Sequence, residues 1–307
     1  AGSAILLLLI VFSLARGLCS VSAKDVLGKT ISKSRRGRLM GWSASLSGIA
    51  VLAIGLWMGL VDLEGSGMRV FAGLLIAGGL LWLVAALFFA TILEQPGATE
   101  GGGNALGVAV RQLGLLYRDA PFRRFVLARS LLLAVALAPP FYVLLAQAQA
   151  QAGAGLLGLG ALIVANGLAT SLSAPFWGYM SDRSSRQVMV CAASGAGLLG
   201  IFTYAAVELE WNWATGEIGL AVIFLILNIM HGGVRLGRKV YLVDMADGGN
   251  RAAYVAVSNT AIGVMMLFGG LIGLLGDWLG AAAVVLLLGL LSLLAAAYAS
   301  TLPEVSE

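Results

Sequence analysis

Cysteine and histidine are almost absent from the sequence, which contains two cysteines and one histidine. Cys19 and Cys191 lie far apart, and no CxxC pair or Cys/His cluster occurs. This scarcity excludes a disulfide framework and a zinc site of the usual spacing. We therefore expect neither a metal nor a cofactor.

Charged residues are also scarce. They make up 11% of the 307 residues, whereas 60% are hydrophobic, and this excludes an ordinary soluble domain. Apolar runs of about 20 residues recur along the chain, and in a bilayer such runs must be helical because lipid cannot satisfy backbone groups. The sequence therefore predicts an all-α, polytopic membrane protein in contact with the lipid bilayer. Its net charge of +4 is typical of basic cytoplasmic loops, and nucleic-acid binding is not expected.

Nine membrane spans are predicted, with ends placed to within a few residues. They cover about residues 3–23, 39–61, 69–93, 122–146, 154–178, 187–207, 216–238, 252–276 and 279–301. Every second loop is basic, beginning with residues 24–38, which carry six basic residues and one acid. By the positive-inside rule these loops and the C-terminus are cytoplasmic. We expect the protein in a plasma membrane such as the bacterial inner membrane.

Residues 94–121 predict a cytoplasmic linker between two bundles. Gly97–Gly103 is rich in glycine and forms a flexible break. Asn104 is placed to cap a short amphipathic helix that runs to Tyr117. The predicted organisation is a partial N-terminal half (1–93), the linker (94–121) and a six-helix C-terminal half (122–307).

An internal repeat relates the beginning of the chain to its end. A shift of about 215 residues superimposes Gly17 on Gly232, Lys24 on Lys239, Leu27 on Leu242, Arg36 on Arg251, Ser43 on Ser258 and Gly48 on Gly263. Spans one to three are then the counterparts of spans seven to nine. Spans four to six have no counterpart, so we expect a six-plus-six protein whose first three helices are missing from this sequence.

A polar segment, Gly178–Arg186, separates spans five and six. Its acid and two bases are typical of a tight loop between membrane helices. The segment resembles the loop signature of the major facilitator superfamily, roughly G-x-L-A-D-R-x-G-R-[KR], at Gly178, Asp182, Arg183 and Arg186. Ser185 replaces a glycine of that signature, and Gln187 replaces its final base.

The resemblance implies two six-helix halves, of which helices 4 to 12 are present, and transport of a small solute by alternating access. It also implies that Asp182 binds the start of span two, around Arg38–Gly41, when the cytoplasmic side is closed. Arg183 and Arg186 would hold the loop or contact lipid headgroups. The simpler interpretation of the segment is an ordinary basic turn.

Polar residues form one stripe on span one and another on span seven. The stripes are Ser13, Arg16, Ser20 and Lys24, and Asn228, His231, Arg235 and Lys239. Both step by 3, 4 and 4 residues, which places each stripe on one helix face at equivalent repeat positions.

Polar side chains inside a membrane are costly and usually face a cavity. We therefore expect a substrate cavity lined by Ser13, Arg16, Ser20, Asn228 and His231. For Arg16 and His231 the alternative is a hydrogen bond within the bundle. Lys24, Arg235 and Lys239 alternatively extend to the membrane surface.

Span four contains Pro139-Pro140 followed by Phe141 and Tyr142. The prolines predict a bend, which is either a packing kink or a place where free carbonyls face a ligand. Tyr142 is then a candidate substrate contact. Asn166 is a further cavity candidate, although such an amide more often bonds a neighbouring helix.

These features predict a secondary active transporter whose halves rock about a central cavity, and Arg16 favours an anionic or carboxylate-bearing substrate. A coupling proton or ion is compatible with this class, although no Asp or Glu lies deep in a predicted span. The alternative is a non-transporting receptor or scaffold on the same fold, with a cavity plugged by bulky apolar residues. An enzyme is not expected, because the single histidine has no acid nearby.

Overall fold

The structure is a computed structural model that describes residues 2–60, 63–93, 111–149, 159–246 and 250–305. Most of these residues are helical, and none of them forms a strand. The helices are, in chain order, α1 (Gly2–Thr30), α2 (Lys33–Leu60), α3 (Leu63–Ala90), α4 (Leu115–Arg118), α5 (Ala120–Leu131), α6 (Leu133–Leu137), α7 (Pro139–Gln149), α8 (Leu159–Arg183), α9 (Ser185–Glu208), α10 (Asn212–Thr215), α11 (Glu217–Met245), α12 (Arg251–Leu279) and α13 (Ala281–Ser300). Helices satisfy their own backbone groups, which lipid cannot do.

The long helices follow the predicted spans. Among the described residues, eight stretches are long and apolar enough to cross a membrane. The predicted span 154–178 begins outside the described residues, and its described part belongs to α8. Most of the predicted linker, 94–121, also lies outside them, including the start of the amphipathic helix predicted from Asn104. The fold is the all-α polytopic bundle that the composition predicts.

Span four is divided into three consecutive helices, α5 to α7. The last of them begins at the pair Pro139–Pro140, because a proline has no N–H to donate to the preceding turn. Hydrogen bonding resumes at once, and Phe141 N–H donates to Ala138 O at 3.0 Å. The boundary between α6 and α7 therefore falls where the sequence predicts a bend.

The segment Gly178–Arg186 differs from the loop that the sequence predicts. α8 continues to Arg183, and α9 begins at Ser185. Only Ser184 separates them, with φ −158° and ψ 101°, and its Oγ accepts a hydrogen bond from Gln187 N–H. Serine suits this N-cap position because its hydroxyl satisfies a free N–H of the first helical turn. The acid and bases of the segment consequently sit on rigid helix ends.

We refer to the helices α5 to α13 as the C-terminal half, and they enclose the main core. Its fully buried large side chains include Phe122, Phe125, Leu132, Met189, Leu227, Tyr241 and Leu288. α9 and α13 approach closely at glycines, since a Cβ on Gly200 would lie 2.9 Å from Gly289 Cα. Helices in lipid associate through such close packing, because lipid tails leave no hydrophobic driving force between helices.

We refer to the helices α1 to α3 as the N-terminal half. α2 packs along α8, and α1 packs against α11 and α12. The described side chains of α3 are exposed almost throughout. Contacts between the halves therefore lie mainly on α1 and α2 on one side, and on α8, α11 and α12 on the other.

Candidate functional site

One end of the bundle collects the basic segments 24–38, 183–186 and 235–246 together with Arg251, and we call it the basic end. α1, α8 and α11 end here, and α2, α9 and α12 begin here. The two halves meet at this end through charged side chains, which form a candidate gate.

Asp182, near the end of α8, binds the N-terminal part of α2. Its Oδ1 accepts a hydrogen bond from Gly37 N–H at 2.6 Å, and both of its oxygens lie 3.2 Å from Arg38 N. Arg38 Nε donates to Oδ2 at 2.8 Å. The carboxylate side chain is 8% exposed, and the positive end of the α2 dipole favours its charge. The contact lies at the start of span two, as the resemblance implies.

Glycines allow α2 and α8 to touch backbone to backbone, and we call this contact the glycine seam. A Cβ on Gly178 would lie 2.6 Å from Gly37 O, and a Cβ on Gly41 would lie 2.5 Å from Ala174 O. A Cβ on Gly48 would also meet the α8 backbone, at 2.6 Å. The distance from Gly37 to Gly48 along the helix is about 17 Å. Larger residues would separate the helices over this length.

A buried ion pair joins the halves beside the glycine seam. Arg36 Nη1 lies 2.7 Å from Asp244 Oδ1, and both residues are 5% exposed. Arg36 also donates from Nε to Ile31 O at 2.9 Å and from Nη2 to Gly28 O at 2.6 Å. Asp244 Oδ2 has no hydrogen-bond partner among the described residues. The arginine is therefore well satisfied, whereas its acid is only half satisfied.

A second arginine makes the mirrored contact. Arg251 Nη1 lies 3.8 Å from Asp25 Oδ1, and its Nη2 donates to Ala246 O at 3.3 Å. Arg251 is 215 residues after Arg36, and Ala246 is 215 residues after Ile31. Both arginines thus bind a carbonyl of their own half and an acid of the opposite half. This equivalence supports the internal repeat.

Residues 301–305, which we call the C-terminal segment, cover the junction between α8 and α9. Glu304 accepts a hydrogen bond from Ser184 Oγ at 2.5 Å and lies 3.5 Å from Arg186 Nε. Arg186 Nη1 donates to Leu302 O at 2.8 Å. Lys33, on α2, donates to Val305 O at 3.4 Å. Arg186 therefore holds the C-terminal segment, while Asp182 binds the N-terminal half.

Five cations lie just inside the gate: Lys24, Arg129, Arg235, Arg238 and Lys239, which we call the cation cluster. Lys24 is repelled by Arg129, Arg238 and Lys239, and Lys239 by the three arginines. Arg235 is exposed, and the other four are half-buried. None of the ion pairs formed within the described parts of the chain includes any of the five. The cluster is therefore a concentration of positive charge without a carboxylate partner in those parts.

Arg129 is oriented by α12. Its Nη1 donates to Ser258 Oγ at 2.5 Å and its Nη2 to Asn259 Oδ1 at 3.1 Å. Its Nε is buried and has no hydrogen-bond partner within the described ranges. Its hydrogen bonds are to neutral groups, so its charge is not compensated by them.

A cavity of about 70 Å³ lies between α2, α8 and α11. Its lining residues are Met40, Ala44, Thr170, Ser173, Ala174, Gly232, Arg235, Leu236 and Lys239. Arg235 and Lys239 connect the cation cluster to this cavity. Two cations and two hydroxyl groups line it from the C-terminal half, and Met40 and Ala44 line it from the N-terminal half.

A family model described as Major Facilitator Superfamily matches residues 133–306, more than half of the chain. The chain belongs to the major facilitator superfamily. Its members are generally membrane transporters, so this chain is an integral, multi-pass membrane protein of a transport family. No curated protein matches it.

In this superfamily member, the polar stripe of α1 is exposed at one end and half-buried at the other. Ser13 and Arg16 are exposed, whereas Ser20 is half-buried and accepts a hydrogen bond from Lys24 Nζ at 3.3 Å. Lys24 and Arg16 both act electrostatically on Lys239 of the α11 stripe. The two stripes are therefore close together at the basic end.

The remaining predicted cavity residues are dispersed. Asn228 Nδ2 donates to Phe224 O of its own helix at 2.8 Å, and His231 is half-buried. Tyr142 is 3% exposed within the core of the C-terminal half, and Asn166 is exposed on α8. None of these four predicted residues lines the cavity between α2, α8 and α11.

Several residues of the basic end were not among the predicted site residues. The repeat aligns Arg36 with Arg251 in the sequence, and this alignment could have identified both as equivalent functional positions. Their partners, Asp25 and Asp244, are not aligned by the same shift, so only the structure shows the crossed pairing. Glu304 carried no signal, because its role depends on the path of the chain after α13.

Proposed function

We propose that this superfamily member is a secondary active transporter that moves a small solute by rocking its two halves. The observation that carries the proposal is the set of contacts between the halves at the basic end. These are Asp182 with Gly37 and Arg38, Arg36 with Asp244, and Arg251 with Asp25. A carrier that alternates must close one side and reopen it, and contacts of this kind provide the closure.

We infer from the positive-inside rule that the basic end, and with it the C-terminus, lies in the cytoplasm. In this orientation the arrangement is closed towards the cytoplasm. The glycine seam supports this interpretation, because α2 and α8 could not approach more closely at Gly37 and Gly178. The proposed location is the plasma membrane, as in the bacterial inner membrane.

The Arg36–Asp244 pair suits a contact that must break repeatedly. Burying two charges costs much of what their attraction returns, so a buried pair contributes little net stability. When the halves separate, water would solvate both side chains and replace the lost contact. Asp244 Oδ2, which has no partner among the described residues, would gain solvation most.

The proposed substrate is a small anionic or carboxylate-bearing solute. Arg16 and His231 are its proposed charged or polar contacts, and the other proposed cavity residues are Ser13, Ser20, Tyr142, Asn166 and Asn228. A coupling proton or ion completes the proposal. Uptake into proteoliposomes tests it: Arg16→Ala should reduce transport of an accepted anion, and unchanged transport of every accepted solute would remove Arg16 from the site.

The gate is tested by measuring the distance between spin labels on the two halves. Ser32 and Gln187 are both exposed and lie at the basic end. The labels require a background in which the two exposed cysteines, Cys19 and Cys191, are replaced by serine. We expect a short and a long distance in liposomes, corresponding to the closed and open basic end.

Asp182→Asn should shift this distribution to the long distance. Each lost hydrogen bond to a charged group is worth about 1.5 kcal/mol or more, which lowers the ratio of closed to open forms at least about tenfold. Asp277→Asn, which removes an exposed carboxylate near the opposite end of α12, is the matched control. A single distance, unchanged in Asp182→Asn, would contradict both the gate and the rocking mechanism.

A further inference from the structure

Within the described ranges, the acids that neighbour the cation cluster in the chain do not pair with it. Asp25 follows Lys24 directly, but it pairs with Lys29 at 2.5 Å and with Arg251 at 3.8 Å. Asp244 lies five residues after Lys239, but it pairs with Arg36. The acids nearest in the chain to Lys24 and Lys239 are thus engaged by arginines and a lysine outside the cluster.

The cluster is also turned inward. Lys24 and Lys239 each lie six residues before the end of their helix, about 9 Å from it. Lys239 lines the cavity, and Arg129 is held to Ser258 and Asn259 on α12. Cations that extend to the membrane surface would instead be exposed, which only Arg235 is.

We propose that the cation cluster binds an oxyanion of two or more negative charges, presented by phosphate or carboxylate groups, and that this anion is the substrate. The inference rests on the proposed transport function and names the substrate class of its cavity. It also moves the principal contacts from Arg16 and His231 to Lys24, Arg129, Arg238 and Lys239.

The number and type of the cations determine the chemistry of the ligand. A single negative charge would leave most of the repulsion in place, whereas a multivalent anion offsets several charges together. Arginine presents a planar fork of donors that matches two oxygens of a carboxylate or phosphate, and lysine adds a compact charge. The cavity of about 70 Å³ has room for one such group and a few waters.

The cluster also spans the two halves. Lys24 belongs to α1 of the N-terminal half, and the other four cations belong to α5 and α11 of the C-terminal half. Their mutual repulsion opposes closure at the basic end. An anion that contacts Lys24 and Lys239 together reverses the sign of this interaction. Because it binds the closed form better, it shifts the population towards that form.

The experiment measures the thermal unfolding of the full-length protein in detergent, with added anions at constant ionic strength. Pyrophosphate and citrate should raise the midpoint, inorganic phosphate and succinate should raise it less, and chloride and acetate should have no effect. Comparing pyrophosphate with citrate, and inorganic phosphate with succinate, identifies whether phosphate or carboxylate groups are recognised. A midpoint that follows ionic strength alone, independent of the charge of the anion, overturns the proposal.

Lys239→Gln and Lys24→Gln each remove one cation from a different half. Either variant should weaken the apparent affinity for pyrophosphate or citrate about ten- to a hundredfold, the value of one charge-assisted contact. Each should also unfold at a higher temperature than the wild type without anion, because repulsion is relieved. Arg118→Gln, an exposed cation outside the cavity, should change neither quantity.

The unfolding temperature without anion distinguishes a cluster that binds a ligand from one that only stabilises the fold. If Lys239 has a carboxylate partner, Lys239→Gln will unfold at a lower temperature without anion, and the proposal is overturned. Anion binding without movement of the Ser32 and Gln187 labels supports the site but rejects the transport mechanism. Movement of the labels without any anion response supports transport and rejects the substrate class.

Discussion

Asp244→Asn provides the most direct test of the crossed ion pairs, because it removes one charge and leaves the other buried. Arg36 is 5% exposed and its Nη1 would lose the carboxylate that lies 2.7 Å away. Leaving a buried charge without its partner costs about 3 to 5 kcal/mol. Arg36 keeps its bonds to Ile31 O and Gly28 O, so we take the lower value, about 3 kcal/mol.

This cost falls on the closed form alone, because water solvates both side chains when the halves separate. About 3 kcal/mol corresponds to roughly a hundredfold change in the ratio of closed to open forms. The distance between labels at Ser32 and Gln187, measured in liposomes, should therefore change from mostly short to mostly long. Asp277→Asn serves as the control for the loss of a carboxylate elsewhere on the protein.

A double variant separates the effect of charge from that of shape. Arg36→Met combined with Asp244→Leu replaces the pair by apolar groups, which is often neutral or stabilising for a buried ion pair. The short distance should return in this variant. If the double variant is as open as Asp244→Asn, or if Asp244→Asn keeps the wild-type distribution, the reasoning about a buried unpaired charge is refuted.

Two other perturbations follow from the contacts at the basic end. Gly178→Val should separate α2 from α8, because its Cβ would lie 2.6 Å from Gly37 O, and the labels should report the long distance. Gly273→Val, at a position with nothing within 4 Å of a Cβ, should leave the distance unchanged, and an equal effect of both would reject steric separation. Glu304→Gln should weaken the bond to Ser184 and speed amide hydrogen exchange at the start of α9; unchanged exchange would show that the C-terminal segment does not hold this junction.

The fold could be predicted from the sequence because lipid leaves few choices. Apolar runs such as 281–300 must be helical in lipid. Because every second loop is basic, the positive-inside rule also predicts on which side of the membrane each helix end lies. The internal repeat predicted more than the fold. Arg36 and Arg251, which it aligns in the sequence, also make equivalent contacts in the structure. The resemblance to the superfamily signature also implied the contact of Asp182 with the start of α2, and the structure shows this contact.

The remaining features of the fold and the site could not be predicted, because they depend on contacts between residues that are distant in the sequence. The surroundings of Tyr142, for example, are set by helices distant in sequence that bury its side chain in the core. In the segment that was predicted to be a loop, the helix is interrupted only at Ser184. No residue from Gly178 to Arg183 prevents the helix from continuing. Arg129 and Arg238 join the cation cluster only in the folded chain, because α5 and α11 are far apart in the sequence.

The crossed pairing of Arg36 with Asp244 and of Arg251 with Asp25 has an evolutionary consequence. Each half carries the arginine that pairs with an acid of the other half. A substitution that removes one of these charges therefore requires a matching substitution in the other half. We expect compensating substitutions to appear between the halves rather than within them. Chimaeras that join a half of this protein to a half of a relative should regain a stable gate only when both partners of a pair are transplanted together.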